Sequence, residues 1–269
     1  MGERYLGIDF SGGAAPWMAR CAKPTVWIAA VEDEVLIDLR PVQALEGEGA
    51  PFERLVGLLK AGDFRAAGID APCSLPVRHM PTAGHAALLN TVSLMPPAAD
   101  RPFPRGADLV GFAHSIAPLE TAKPARQTEA VWRGKGVNVR STLWNGARGG
   151  APFTAACLTL LARAERPVWP WSAGEGMIVE AFPAGQLKAW SLPYAKYAGA
   201  EGGAVRQLIV AALRRRLSIK PAYRKRMTDG PDALDAVLAS FGARAAAKGR
   251  LAEPLPVRWR TEGAIAVHD

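Results

Sequence analysis

The chain predicts an α/β protein whose mixed sheet joins an antiparallel three-strand meander to parallel strands, flanked by helices and interrupted by a large irregular insertion. Three observations carry that reading. Apolar runs at 4–10, 25–31 and 35–40 lie close together in sequence, and the last two read as a hairpin about the charged turn Glu32-Asp33-Glu34. A helical spacing at 51–60, with Pro51 at a first-turn position, separates the first run from a further strand at 65–70. A helix between two strands makes a crossover, so the 4–10 and 65–70 strands should run parallel. Both of these end in the same tripeptide, Gly7-Ile8-Asp9 and Gly68-Ile69-Asp70.

The remaining elements follow in order. From residue 73 to 150 the periodicity breaks down under many Pro and Gly residues, which predicts an elaborated insertion within a single domain spanning 1–269. A helix is expected at 152–164 and a third parallel strand at 177–182, closed by Glu180-Ala181-Phe182-Pro183. Helices at 184–190 and 201–217 come next. The last strong helix opens at Asp229-Gly230-Pro231 and runs to about Lys248, with Leu234, Val237, Leu238 and Phe241 on one face.

Composition narrows the class. With 269 residues, 49% of them hydrophobic, the chain can bury a substantial core. No apolar run reaches the roughly 18 residues that span a bilayer, and the N-terminus starts a strand without a signal-peptide pattern, so a cytoplasmic protein without a membrane partner is expected. Three cysteines, Cys21, Cys73 and Cys157, fit neither a disulfide framework nor a zinc motif and read as reduced and structural. The four histidines show no ligand spacing, and no glycine elbow supports a serine nucleophile. The net charge of +8 favours an anionic partner. Eight basic residues between Arg206 and Arg226, with no acid among them, stand just before Asp229, Asp232 and Asp235.

The acids carry the chemistry. Ligands in open α/β sheets bind beyond the carboxyl ends of the strands, which is where Asp9 and Asp70 fall, each followed by a turn. Asp232 and Asp235 are three apart on one helix and therefore neighbours on its surface. Asp232 has an alternative reading as a first-turn acid favoured by the helix dipole; no capping argument requires Asp235. Glu180, at the end of the third parallel strand, would face the same crevice, bind a neighbouring backbone or pair with an arginine. Glu53 reads as a surface acid of the first helix and is left outside the site. Carboxylates from separate elements suit two Mg²⁺ or Mn²⁺ ions held roughly 3.5–4 Å apart for phosphodiester hydrolysis.

Residues in five blocks resemble a known family. Gly7-Ile8-Asp9, Gly68-Ile69-Asp70-Ala71-Pro72, Val179-Glu180-Ala181-Phe182-Pro183-Ala184, Asp232-Ala233-Leu234-Asp235-Ala236 and Glu262-Gly263-Ala264-Ile265 are similar, in order, to the blocks of domain-of-unknown-function family 429. Members of that family are described as predicted ribonuclease H-like nucleases. The last block departs from the usual Glu-Gly-Trp-Ile by carrying Ala264. The Asp-x-x-Asp-Ala block also resembles that of Holliday-junction resolvases of the same superfold. The resemblance implies a ribonuclease H-like fold in which Asp9, Asp70, Asp232 and Asp235 bind the metal ions; Glu180 has no counterpart in the resolvase pattern.

Where the substrate would bind is read from cations and hydroxyls. Arg126, Arg133 and Arg140 interleave with Trp132 and Trp144, a composition suited to single-stranded nucleic acid, and Ser11 is placed to hydrogen-bond a phosphate. The expectation is a metal-dependent nuclease acting on nucleic acid. Two alternatives stand beside it. Asp9-Phe10-Ser11-Gly12-Gly13 also looks like the phosphate-binding hairpin of an actin-like, nucleotide-dependent phosphotransferase, and a non-catalytic protein could use the same fold to bind nucleic acid or a phosphorylated ligand.

Overall fold

A computed structural model describes residues 2–269. Five strands, β1 (Arg4–Asp9), β2 (Trp27–Glu32), β3 (Val35–Pro41), β4 (Ala66–Asp70) and β5 (Met177–Glu180), form one sheet in the order β3-β2-β1-β4-β5. The β1/β2 and β2/β3 pairs are antiparallel, whereas β1/β4 and β4/β5 are parallel. The meander and the parallel strands are thus those expected from the sequence. Asp33 and Glu34 turn the hairpin with φ of 46° and 65°, the left-handed pair that a two-residue turn between right-twisted strands requires.

Ten helices flank the sheet: α1 (Pro51–Ala61), α2 (His85–Ser93), α3 (Gly106–Ile116), α4 (Gln127–Gly134), α5 (Ala151–Ala164), α6 (Pro183–Ala189), α7 (Gly203–Leu213), α8 (Pro221–Asp229), α9 (Pro231–Lys248) and α10 (Trp259–Glu262), counted among the described residues. The predicted helix at 201–217 is shorter than expected, and α8 follows as a separate element. After Leu213 the chain leaves the helix to pair with the edge of β3, where the Leu36 amide donates to the Ser218 carbonyl at 3.0 Å and the Ser218 amide to the Glu34 carbonyl at 2.8 Å; Pro221 then opens α8, with Lys220 before it extended at φ −60° and ψ 147°. The 73–150 segment is also more ordered than its composition suggests. It carries α2, α3 and α4, and its Leu88, Val92, Phe103, Leu109 and Ala113 join the same apolar cluster as Leu6, Ile8 and Ile69 of the sheet.

Strand parity sorts the two faces. Leu6, Ile8, Ile28, Ala67 and Ile69 point to one side, where α1 and α5 cover them. On the other side lies α9. Its buried Ala236, Ala239, Ser240 and Ala243 recur at helical spacing and rest on the centre of the sheet, while Leu234, Val237, Leu238 and Phe241 pack with α7 and α8. The helix is buried nearly all round for that reason.

Gly7 and Gly68 make this close approach possible. A Cβ on Gly7 would sit 2.0 Å from the Ala236 carbonyl oxygen, and one on Gly68 would sit 2.1 Å from that of Ala239. The repeated tripeptide now has a physical reading, because residues two apart share a face. Each glycine admits α9, each isoleucine fills the opposite core, and each aspartate returns to the α9 side at the strand end.

No helix among the described residues is long and apolar enough to cross a membrane.

Candidate metal centre

Asp9 and Asp70 are register partners across the parallel β1/β4 pair. The sheet therefore sets their side chains next to each other on the α9 face. Asp232 and Asp235 lie on the stripe of α9 that continues through Ala236 and Ala239, so the surface that rests on the sheet also carries both acids at its N-terminal end. One carboxylate oxygen from each of Asp9, Asp70 and Asp235 falls within 4.8 Å of the others. Asp232 lines the same cavity, and Asp9 acts on its pKa. Four of the acids singled out in the sequence are thus brought together.

Burial raises the pKa of all four, and repulsion among the aspartates adds to it at Asp9 and Asp235. Asp9 is held well above the ordinary carboxylate range, first by desolvation and then by the charges of Asp235, Asp70 and Asp232. Asp235 is raised by burial and by Asp70, although Tyr197 opposes this by donating its phenol hydrogen to Oδ1 at 2.8 Å. Asp70 is pushed up to about 7, mainly by burial, with Arg140 pulling down and Glu180 pushing up. Asp232 is raised by desolvation, against the Asp9 contact and the Arg206 charge.

A pH dependence follows. In the unfolded chain an aspartate loses its proton near pH 4, whereas in the folded protein Asp70 keeps it to about 7. Between these values the native state binds more protons than the unfolded state, so stability falls as pH rises. In chelator, the thermal midpoint is expected to be lower at pH 8 than at pH 5, by several degrees. A midpoint that rises over that interval in differential scanning fluorimetry would contradict the assignment.

These acids floor a cavity of about 600 Å³ whose walls include Ser11, Arg140, Phe153, Phe182, Tyr194 and Tyr197. Ser11 Oγ accepts a hydrogen bond from the Gly13 amide at 3.2 Å. Arg140 is exposed, with its guanidinium 4.5 Å from the centroid of the Phe153 ring. Of the predicted substrate-binding cations, Arg140 alone is open to solvent at this cavity. Arg133 instead donates to the Val139 carbonyl at 3.0 Å and so braces the backbone beside Arg140.

Arg126 and Glu180 correct the expectation more strongly. Arg126 is 1% exposed and Glu180 is 4% exposed. The guanidinium grips both Glu180 oxygens, reaches Glu129 Oε1 at 3.0 Å and donates to Ser74 Oγ at 3.0 Å. The Cys73 amide adds a third hydrogen bond to the Glu180 carboxylate, at 2.8 Å. Glu180 is therefore spent on an ion pair, the alternative left open by its position before Phe182, and Arg126 is a buried counter-ion beneath the site. Trp132 is buried against Phe182, so the interleaved arginines and tryptophans do not form one continuous outer surface.

This network fastens the 73–150 segment to the sheet. Glu262, from the last of the five blocks, accepts the Val77 amide at 2.9 Å and the Gln127 amide at 2.6 Å, the latter at the start of α4. Arg126→Met is expected to destabilise the fold by about 3–5 kcal/mol, because it leaves Glu129 and Glu180 buried without their counter-ion. Urea denaturation measures this; a loss under 1 kcal/mol would show that solvent reaches the pair.

Two contributors escaped the sequence reading. Tyr197 precedes no motif, and only its contact with Asp235 marks it. Arg206 appeared there as part of a basic run, yet it is buried and donates to the carbonyls of Tyr197 at 2.6 Å, Gly199 at 3.1 Å and Thr228 at 2.9 Å. It holds the Tyr197 loop against α8. Glu53 pairs with Arg163, a residue of α5 on the opposite side of the sheet, and Cys73 and Cys157 are free thiols with sulfur atoms 3.9 Å apart.

Searches of the curated proteins and of the solved structures give no match to this chain. One family model does match. It is described as "Protein of unknown function (DUF429)", and it covers residues 7–258, which include Asp9, Asp70, Glu180, Asp232 and Asp235. The cluster of strand-end and helix aspartates therefore sits within the matched region, and the chain belongs to the DUF429 family.

Proposed function

We propose that the protein is a metal-dependent nuclease that hydrolyses phosphodiester bonds at the Asp9–Asp70–Asp235 cluster. The observation that carries this reading is the convergence of three carboxylate oxygens within 4.8 Å of one another, with Asp232 adjoining, at the floor of an open cavity. An all-oxygen, all-anionic donor set suits hard divalent cations such as Mg²⁺ or Mn²⁺. Burial raises the pKa of Asp9, Asp70 and Asp235, with repulsion among the aspartates adding to it at Asp9 and Asp235, so a bound cation would favour their ionised forms.

The residues divide the work as follows. Asp9, Asp70 and Asp235 would hold the ions, and Asp232, more open to solvent, would complete the set. Tyr197 keeps Asp235 oriented through the phenol hydrogen bond. Arg140 faces the incoming phosphate from the wall of the cavity. Two such ions, when bound, supply an activated water and stabilise the departing oxygen of an in-line displacement.

The phosphotransferase reading finds less support. A Cβ at Gly12 would lie 2.3 Å from the Pro152 carbonyl carbon, so the Ser11-Gly12-Gly13 turn is packed against the start of α5, and the Gly13 amide is engaged by Ser11.

The test is cleavage of labelled single-stranded, double-stranded and branched DNA and RNA with Mg²⁺ or Mn²⁺. Products that disappear in chelator are expected. Absence of cleavage on every substrate with both metals would sink the nuclease reading. Because protons and metal compete for the same oxygens, either ion should raise the thermal midpoint more at pH 8 than at pH 5; an equal shift at both would argue against carboxylate ligation.

A further inference from the structure

The cavity above the aspartates has walls that a metal centre by itself does not need. Phe153, Phe182 and Tyr194 line it, each partly exposed. Two of these rings carry cations: the Arg140 guanidinium lies 4.5 Å from the Phe153 centroid, and Lys188 Nζ lies 4.8 Å from that of Tyr194. Phe182 is fixed from behind by an edge-on contact with Trp132, at 5.9 Å between centroids. Arg140 and Asp70 line the same cavity, and the Arg140 charge favours the ionised form of Asp70.

Aromatic faces paired with cations are the features that bind a nucleic-acid base together with its phosphate. The shape is selective as well. At about 600 Å³ the cavity falls in the range of clefts that enclose a small organic molecule, whereas a duplex keeps its bases stacked inside a convex cylinder and reaches such a pocket only by flipping a nucleotide out, at a cost in stacking and pairing.

Resting on the nuclease reading, we propose that the cavity admits one unstacked nucleotide of a single strand, its phosphate at the aspartates and its base against Phe153 and Tyr194. Single strands are then the preferred substrate. Arg140 spans the two halves, with its charge toward the phosphate and its guanidinium beside Phe153.

The experiment compares one labelled sequence as a linear single strand and as a blunt duplex, with Mn²⁺, for the wild type, Phe153→Ala, Tyr194→Ala and Asp235→Asn. The single strand should be cut at least tenfold faster than the duplex, and each aromatic variant should raise KM for it about tenfold, in line with the stacking lost per base. The Mn²⁺-induced thermal shift of the aromatic variants should match that of the wild type, which separates a lost wall from a lost metal site or fold. Equal rates on both substrates, or an unchanged KM in both aromatic variants beside an inactive Asp235→Asn, would overturn the pocket proposal and leave the nuclease reading standing. If the wild type cuts neither substrate, saturation-transfer NMR with adenosine monophosphate and Mg²⁺ decides the pocket, and the nuclease reading is decided separately by the full substrate panel with both metals. Binding that Phe153→Ala and Tyr194→Ala abolish supports it; no binding overturns it.

Discussion

Asp235→Asn is expected to abolish metal-dependent cleavage while making the metal-free protein more stable. The two effects have one cause. Asp235 is buried beside Asp70, Asp9 and Asp232, so its charge is unfavourable unless a cation is present, and removing it relieves the repulsion at almost constant volume. The asparagine oxygen still accepts from Tyr197, so the hydrogen bond observed at 2.8 Å can persist. Metal affinity should fall by roughly a hundredfold or more, since losing only an outer partner of a ligand costs 10–100-fold. Thermal midpoints in chelator should therefore rank the variant above the wild type, and saturating Mn²⁺ should reverse the order. A variant that is less stable than the wild type in chelator would mean that Asp235 is a structural acid, and the metal reading would lose its best-supported member.

Gly68→Ala is expected to be among the most damaging single substitutions in the chain, with Gly7→Ala close behind. The new methyl group meets backbone, 2.1 Å from the Ala239 carbonyl oxygen in one case and 2.0 Å from that of Ala236 in the other. No rotamer change relieves such a contact, so the helix must lift from the sheet. Overpacking of a core costs about 1–3 kcal/mol where side chains can shift, and a loss of about 3 kcal/mol or more is expected here. The displaced helix carries Asp232 and Asp235, so the Mn²⁺-induced thermal shift should shrink too. Gly57→Ala is the control: it lies in α1 with nothing within 4 Å of its Cβ position, and alanine there should stabilise by roughly 0.5–1 kcal/mol. Urea midpoints for the three variants decide the matter; equal midpoints would show that α9 yields to a methyl group.

These substitutions also mark how far local pattern reaches. The strands, the crossover and the last helix were readable because each is announced within its own segment: alternation or continuous apolarity for the strands, and 3.6-residue spacing with Pro51 or Pro231 at the start for the helices. The aspartates were readable for the same reason, being placed at element ends by those patterns. Glu180 stood in the same kind of position and lines the same cavity, but its carboxylate is engaged by Arg126. Its partner Arg126 is 54 residues away, in a segment whose Pro- and Gly-rich composition conceals three helices, and nothing local to Val179-Glu180-Ala181 signals that pairing. Tyr197 was silent for a similar reason, since its role arises only where a loop held by Arg206 passes over α9.

The sequence by itself determined that Gly7 shares a face with Asp9 and Gly68 with Asp70, each within its own strand, because side-chain alternation is a property of any strand and needs no partner. It also determined that Asp232 and Asp235 share a helix face. Only the tertiary structure decided that these surfaces meet, that Gly7 and Gly68 are bare so that α9 can lie against them, and that Glu180 is neutralised by Arg126 while Asp9, Asp70 and Asp235 are left facing one another. Packing and pairing are non-local: the free energy of a buried charge depends on whichever group the fold brings beside it, and that group is chosen by the whole chain.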